Sequence, residues 1–529
     1  MISKVKNVVV LLVSVGLLVG CNPEVRDQRL TDQGNSTTTA PLPPQSYQKA
    51  ESEFVQKFNQ RPKGRAMGVT VKNSFLGTNL DADNIGISFE ATELTDARWD
   101  PELGNLDEML QALGNPGLRF GGNGLDRKVF WSSTGESAPK GKTLITPEDL
   151  RRVMKTVRKI DAKVTIGVPL GTFDPARSAD MAKYAMEIFG RHLIGISIGN
   201  EPNGFTKDTR SGLQVRTPGS WDKNQYVTEV RSYINAIDAV VDAEAPIIGP
   251  GVFEGTWMDA FLAAKIPNSK ALTQHYYATY MCSSTVVPGR GPEWENLLNP
   301  VVEESSHKMF GVGLAKARKA KLPLWVEETG PTSCPGTNST SKTHATTLWT
   351  VDHIFSAARQ GVERMNMHSM LGACRGGAPM SVICSSKGTG TQGSGKILPQ
   401  PSYQAMRIAR VSAGGKFLVT KVTGDERLRA YAIEDRNGNI LVTIVNKNDA
   451  AKSSANSVTV NVPKEYHAAR ATQVYGVSNG VVNGSEHVDL SPFSENGSGV
   501  KTNLDGKLLI DLVSSSVTTI EFTKIENNK

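Results

Sequence analysis

The chain has 529 residues, a formal net charge of +7, an ordinary apolar fraction of 39% and five cysteines. That length allows two or three domains, or one barrel and a partner, with enough apolar residues for full cores. No helix-turn-helix, zinc-finger or RNA-binding signature is visible, so nucleic acid is not an expected partner. A mildly basic surface favours an anionic partner such as an acidic polysaccharide or lipid headgroups, against the plainer reading of a weak solvated excess.

Residues 1–21 read as an export signal. Lys4 and Lys6 form a charged start, and Val8 to Val19 is an apolar run too short and too early for a membrane span. It ends in Leu18-Val-Gly-Cys21, which resembles a bacterial lipobox, so Cys21 is expected to carry lipid and anchor the protein to the membrane. Asn22 in the next position, rather than Asp, favours the outer membrane. Residues 22–50 are rich in Thr, Pro, Gln and Ser and cannot bury enough apolar area to fold, so they are expected to form a tether. In 51–80, Ala66–Phe75 is strand-like and is expected to join a C-terminal β-domain.

From residue 85, apolar strands alternate with amphipathic helices. The strands are Ile85–Leu94, Gly117–Asn123, Lys163–Leu170, Ile194–Pro202, Ala245–Phe253, Ala271–Tyr280, Leu322–Gly330 and Arg364–Met370. Helices are expected at Asp149–Ile160, with Thr146-Pro147-Glu148 as its start signal, and at Tyr226–Val241 and Thr343–Gln360. Eight near-continuous apolar strands flanked by helices predict an α/β fold, a (β/α)8 TIM barrel over 81–400. The rival, a doubly wound open sheet, would want a Gly-rich phosphate loop after its first strand, and none is there. After Gln400 the period changes to two: Lys416–Thr423, Arg427–Glu434, Ile440–Asn446, Ser457–Val462, Lys507–Leu512 and Val517–Thr523 read as strands without intervening helices. Asp435-Arg-Asn-Gly-Asn439 carries a hairpin signal. Residues 401–529 are therefore expected to form a β-sandwich.

Two strand ends carry the chemistry. Ile194–Asn203 runs an apolar strand into Asn200-Glu201 and stops it at Pro202; Leu322–Gly330 ends in Glu327-Glu328. Strands four and seven lie roughly opposite each other in an eight-stranded barrel. Their carboxylates can face each other across its mouth, which suits glycosidic bond cleavage by a general acid/base, Glu201, and a nucleophile. Successive side chains on a strand point to opposite faces, so one of Glu327 and Glu328 is expected to enter the mouth, and spacing alone does not choose. No CxxC or Cys/His cluster has zinc-like spacing, so neither a metal nor a cofactor is expected.

Four stretches carry a resemblance to glycoside hydrolase family 79, the heparanase and β-glucuronidase group: Leu118-Arg-Phe-Gly-Gly-Asn-Gly-Leu-Asp126, Gly199-Asn-Glu-Pro-Asn-Gly-Phe205, Gln274-His-Tyr-Tyr277 and Trp325-Val-Glu-Glu-Thr329. The resemblance extends over the barrel and the C-terminal β-domain. It implies a retaining enzyme acting on acidic oligo- or polysaccharides, with Glu328, the residue before Thr, as nucleophile. It also implies Asn200 as the partner of the sugar 2-hydroxyl, Tyr276 beside the nucleophile with Tyr277 pointing away, Glu90 as an acidic hydroxyl ligand, and Asn123 and Glu254 as further contacts. Arg119 and Asp126 are as readily structural, fixing the loop and barrel floor. The chain departs from the family where a glucuronide carboxylate is gripped. Pro335 has no N–H to donate, and Met367 occupies the strand-eight tyrosine position. Arg375 offers a charge-assisted replacement. The cysteines after strands six to eight imply a local pair, Cys374 with Cys384, leaving Cys282 and Cys334 to link neighbouring loops. The competing readings are a neutral-sugar β-glycosidase of the same clan and a catalytically inert glycan-binding lipoprotein.

Overall fold

The computed structural model describes residues 67–206, 214–280, 287–333, 336–453, 456–489, 501–503 and 506–525. The expected export signal, Cys21, the tether, Cys282 and Cys334 lie outside the described residues. Among the described residues no helix is long and apolar enough to cross a membrane.

Eight parallel strands close into a barrel in chain order: Gly86–Glu90, Leu118–Gly121, Val164–Val168, Leu193–Ile198, Ile247–Val252, Ser269–Tyr280, Leu324–Ser333 and Arg364–Ser369. Most of their residues are buried on both faces, because side chains fill the barrel inside and helices cover it outside. The helices start where the backbone can be capped. Thr146 and Asp149 form a capping box for Pro147–Ile160, with Pro147 in its first turn. Asp222 caps Lys223–Asp238 and so starts it earlier than the apolar periodicity suggested; the helix also ends earlier, at Asp238. Gly361, at φ +104°, ends His344–Gln360 in the left-handed region.

The second unit is a ten-stranded sheet. Its order is Glu486–Asp489, Tyr466–Tyr475, Ser516–Lys524, Ile440–Asn446, Leu428–Glu434, Gly415–Thr423, Met67–Leu80, Asn456–Asn461, Lys507–Leu512 and Lys501–Asn503. It curls over its own core, where Val69, Ile444, Val460, Ile510 and Phe522 belong to one buried cluster. The expected C-terminal β-domain is present, its layers hydrogen-bonded into one continuous curled sheet. The reason is Met67–Leu80, which pairs antiparallel with Gly415–Thr423 on one side and parallel with Asn456–Asn461 on the other. The Asp435–Asn439 turn forms as expected, with Gly438 at φ +78°. Tyr466–Tyr475 lacks a clean period of two because its register shifts between Ala468 and Arg470.

The barrel runs further along the chain than the strand pattern implied. Pro401–Val411, in the span expected to hold strands alone, is a helix. Its Tyr403, Met406 and Ala409 join the barrel core, and Tyr403 Oη donates to the Met109 carbonyl at 2.8 Å. The sheet docks on His344–Gln360, whose Phe355 contacts Phe417 and Tyr431. Beside this contact, Lys447 reaches Asp352 at 2.6 Å and Arg429 reaches Glu303 at 2.7 Å.

Candidate active site

The second barrel strand supplies the organising cation. Arg119 donates through Nη1 to Ser88 Oγ and to Glu328 Oε2, both at 2.7 Å, and through Nη2 to Asn200 Oδ1 at 2.6 Å. The glycines that follow make room for it. A Cβ on Gly121 would lie 2.4 Å from the Arg119 guanidinium, and one on Gly122 would lie 2.5 Å from the Glu90 carboxyl carbon. The N–H of Gly124 donates to Glu90 Oε2 at 2.6 Å. Burial raises the pKa of Glu90, His368 opposes that, and Glu328 adds to it. Asp126 ties three loops together: it accepts from the backbone N–H groups of Leu170 and Gly171 at 2.7 and 2.8 Å, and of Asn200 at 2.7 Å.

Strand four ends in a strained residue. Glu201 sits at φ +51°, ψ +55°, a left-handed conformation that non-glycine residues rarely adopt. Its N–H donates to the Gly251 carbonyl at 3.1 Å, and Pro202 opens a short helical turn. These restraints aim its carboxylate at His275, whose Nδ1 lies 2.9 Å from Glu201 Oε1.

Strand seven brings in both of its glutamates. Val326 pairs with Gln274 and Glu328 with His275, so Glu327 is an extra residue on a β-bulge. The bulge breaks the alternation that was expected to send one carboxylate away. Glu327 lies in the barrel interior, accepting from Thr165 Oγ1 at 2.5 Å and Asn366 Nδ2 at 3.1 Å and pairing with Arg364 at 3.2 Å. Glu328 is held by Arg119 on one oxygen and by Tyr277 Oη, at 2.8 Å, on the other. Burial disfavours its charge, but His368, His275 and Arg119 outweigh burial and hold its pKa well below the carboxylate range.

Two expected positions shift by one residue. Tyr276 does not lie beside Glu328: its hydroxyl donates to the Val302 carbonyl at 2.8 Å, and its ring stacks on His353. Tyr277 takes the position instead, because Thr273, His275 and Tyr277 share the inward parity of strand six. On strand eight Met367 faces the core, while His368 Nε2 lies 3.7 Å from Glu90 Oε1. Both strands are buried on both faces, so apolar patterning did not mark which face is inside. His275, Tyr277 and His368 were missed as site residues; Gln274 and Tyr276 are as polar as Thr273, His275 and Tyr277, so the sequence of strand six carries no mark of its inward parity.

Of the other expected contacts, Asn123 is exposed and its Oδ1 accepts from Arg127 at 3.1 Å. Glu254 is half-buried at the head of the helix Gly255–Ala263. Arg375 is exposed on the loop after strand eight and forms no ion pair with a described residue. Cys374 and Cys384 form a disulfide at the base of that loop.

Donor atoms of Glu201, His275 and Glu328 all lie within 4.8 Å of one another. The group could geometrically hold a metal ion, but the Arg119 guanidinium, 2.7 Å from Glu328, would repel one. Around the group, Asn200 Nδ2, His275 Nε2 and His368 Nδ1 are buried without a hydrogen-bond partner among the described residues. Buried polar atoms of this kind are costly unless a ligand completes them.

No protein-family model matches the sequence, and no curated protein matches it. Solved structures do. A 4-O-α-L-rhamnosyl-β-D-glucuronidase from Fusarium oxysporum 12S superposes with a TM-score of 0.62 at 17% identity, over 86% of this chain and 99% of that one. A GH51 arabinofuranosidase from Xanthomonas axonopodis pv. citri gives 0.59 at 14%, over 87% and 100%. CelM2, a bifunctional glucanase-xylanase from a metagenome library, gives 0.58 at 13%, over 87% and 99%. At these identities the likeness establishes the fold alone, a closed eight-stranded parallel barrel with a second β-unit.

Proposed function

We propose that this chain is a retaining glycoside hydrolase, with Glu328 as nucleophile and Glu201 as general acid/base. One observation carries the reading: carboxylate oxygens from the ends of strands four and seven approach within 4.8 Å. Retaining enzymes hold their two carboxyl groups about 5–5.5 Å apart, whereas inverting ones leave about 6.5–9.5 Å for a water. The environments divide the labour. Glu328, its side chain 5% exposed, is kept ionised by Arg119 and the neighbouring imidazoles and is oriented by Tyr277. Glu201, 17% exposed, is the more accessible to a leaving group and is positioned by His275. Glu328 attacks the anomeric carbon while Glu201 gives its proton to the departing oxygen. Glu201 then takes a proton from water, which cleaves the glycosyl ester. Asn200, pinned by Arg119 and Asp126, directs its free Nδ2 at the sugar 2-hydroxyl.

The finer reading is a β-glucuronidase-like enzyme on acidic glycans. The four family-79-like motifs support it, as does the glucuronidase activity named for one structural neighbour. A neutral-sugar specificity is favoured by a different observation: Glu90, Glu201 and Glu328 already crowd the site, and Arg375 is exposed. Glu328→Gln should abolish hydrolysis. Glu201→Gln should spare activated aryl glycosides in the glycosylation step while slowing poor leaving groups by several orders of magnitude. A nitrophenyl panel of glucuronide, glucoside and arabinofuranoside measures both the reaction and its specificity, and no turnover of any member would overturn the reading. The protein is further proposed to be exported and lipid-anchored through Cys21. Palmitate labelling that persists in Cys21→Ser would count against that anchor.

A further inference from the structure

We propose that Glu327, the residue inserted by the strand-seven bulge, is a positioning residue that holds Arg119, and through it Glu328 and Asn200, in register. The inference rests on the hydrolase reading above and goes beyond it. A regular strand with Glu328 facing inward would turn Glu327 out toward the helices. The bulge turns it in, beneath the site, where it is buried. There it forms the middle of a chain of alternating charge. Arg364 lies 3.2 Å from Glu327, Glu327 lies 4.0 Å from Arg119 Nε, and Arg119 lies 2.7 Å from Glu328.

An acid serving the fold alone would need only Arg364, which also faces Asp83 at 3.5 Å on the barrel floor. Glu327 instead presents its second oxygen upward. Oε2 accepts from Thr165 and faces Arg119, while Oε1 accepts from Asn366 and faces Arg364. Among the described residues, Arg119 is the one side chain hydrogen-bonded to both Glu328 and the Asn200 side chain. Its guanidinium hydrogen-bonds Glu328 at 2.7 Å while its Nε faces the Glu327 carboxylate at 4.0 Å. Removing the lower charge leaves the Nε side of Arg119 without its anionic neighbour, so the guanidinium is free to tilt. Glu328 and Asn200, both bonded to it, lose their register with it. The loss should fall on turnover, because Glu327 does not itself reach the substrate.

The test compares Glu327→Gln, which keeps the shape and loses the charge, with Glu327→Asp, which keeps the charge. The substrate is whichever aryl glycoside the wild-type enzyme cleaves. Rates are divided by the fraction of molecules trapped by the matching 2-deoxy-2-fluoro glycoside, so that misfolded protein does not register. The expected result for Glu327→Gln is a fall in kcat per active site of at least ~10-fold, with KM within about threefold and partial recovery in the Asp variant. An unchanged kcat per active site, a loss confined to KM, or an Asp variant worse than the Gln variant would overturn the proposal. If the Gln variant yields no folded protein, Thr165→Val loosens the same carboxylate without removing it. An unchanged kcat there overturns the proposal equally. Wild-type enzyme that cleaves no glycoside overturns the hydrolase reading itself, and is seen before any variant is made.

Discussion

The hydroxyl of Tyr277 lies 2.8 Å from Glu328, while that of its neighbour Tyr276 bonds a helix carbonyl on the other side of the strand. The two residues should therefore respond oppositely to the same change. Tyr277→Phe removes a hydrogen bond to a charged group, an effect on the scale of about 1.5–3 kcal/mol, and should lower kcat by roughly 10- to 100-fold. Tyr276→Phe should lower the melting temperature and leave kcat nearly unaltered. Steady-state rates and thermal melts on both variants check this, and the reverse pattern would return Tyr276 to the site. Asn200 and Glu201 could be placed at a strand end from the sequence because Pro202 stops the strand there, whereas the preference for Glu328 over Glu327 came only from the family resemblance. Tyr277 and His368 were not legible, because a strand buried on both faces offers no apolar contrast from which to read parity.

At the scale of elements, the turn after the second barrel strand shows why its glycines are needed. Gly122 adopts φ +73° and lies against the Glu90 carboxyl group. Gly122→Ala meets both a backbone strain and a steric clash with a buried acid. It should cost about 1–3 kcal/mol of stability and displace Glu90, raising KM. A melting curve and a Michaelis plot read the two effects, and a variant normal in both would mean that the turn tolerates a side chain. The eight barrel strands and the Thr146 cap were readable because apolar runs, prolines and capping residues act locally. The strand-seven bulge was not, since nothing in Trp325-Val-Glu-Glu-Thr329 distinguishes a bulged pair from an alternating one. The helix Pro401–Val411 escaped notice for a similar reason: its apolar face is short and follows directly on a β-hairpin, Ile383–Pro399.

At the scale of the whole molecule, barrel and sheet are joined by buried groups sensitive to acid. His344, at the start of the helix that carries the sheet, bonds Ser485 Oγ and the Ser515 carbonyl, both at 2.7 Å. Burial pushes its pKa from 6.5 down to about 4, and burial likewise pushes His353 down to about 3. In both cases the unfolded chain binds the proton more readily. The stability is fully present above pH 6.5 and is lost as pH falls from there through 4. For His344 alone the loss is about 3 kcal/mol. Calorimetry at pH 7 and pH 4 should show His344→Gln losing less stability than the wild type by about that amount. An equal pH dependence would remove His344 from the account. That the two units share a core was legible only in outline. The strand-like character of 66–75 suggested pairing with the C-terminal strands, but a pairing partner is a long-range property that no local pattern specifies.

The placement of Met67–Leu80 also has a consequence in time. Gly68 and Thr423, hydrogen-bonded across the sheet, are separated by 355 residues. A ribosome adding about 5–20 residues per second needs roughly 20–70 s to supply the second partner after the first. Throughout that interval Met67, Val69 and Val71, which end in the sheet core, have no native surface to cover them. The barrel strands can meet their neighbours as they emerge, but the sheet cannot close until almost the last residues arrive. A nascent chain of this design carries its first strand unpaired until the later strands are made, and truncated products lacking them would expose an apolar edge.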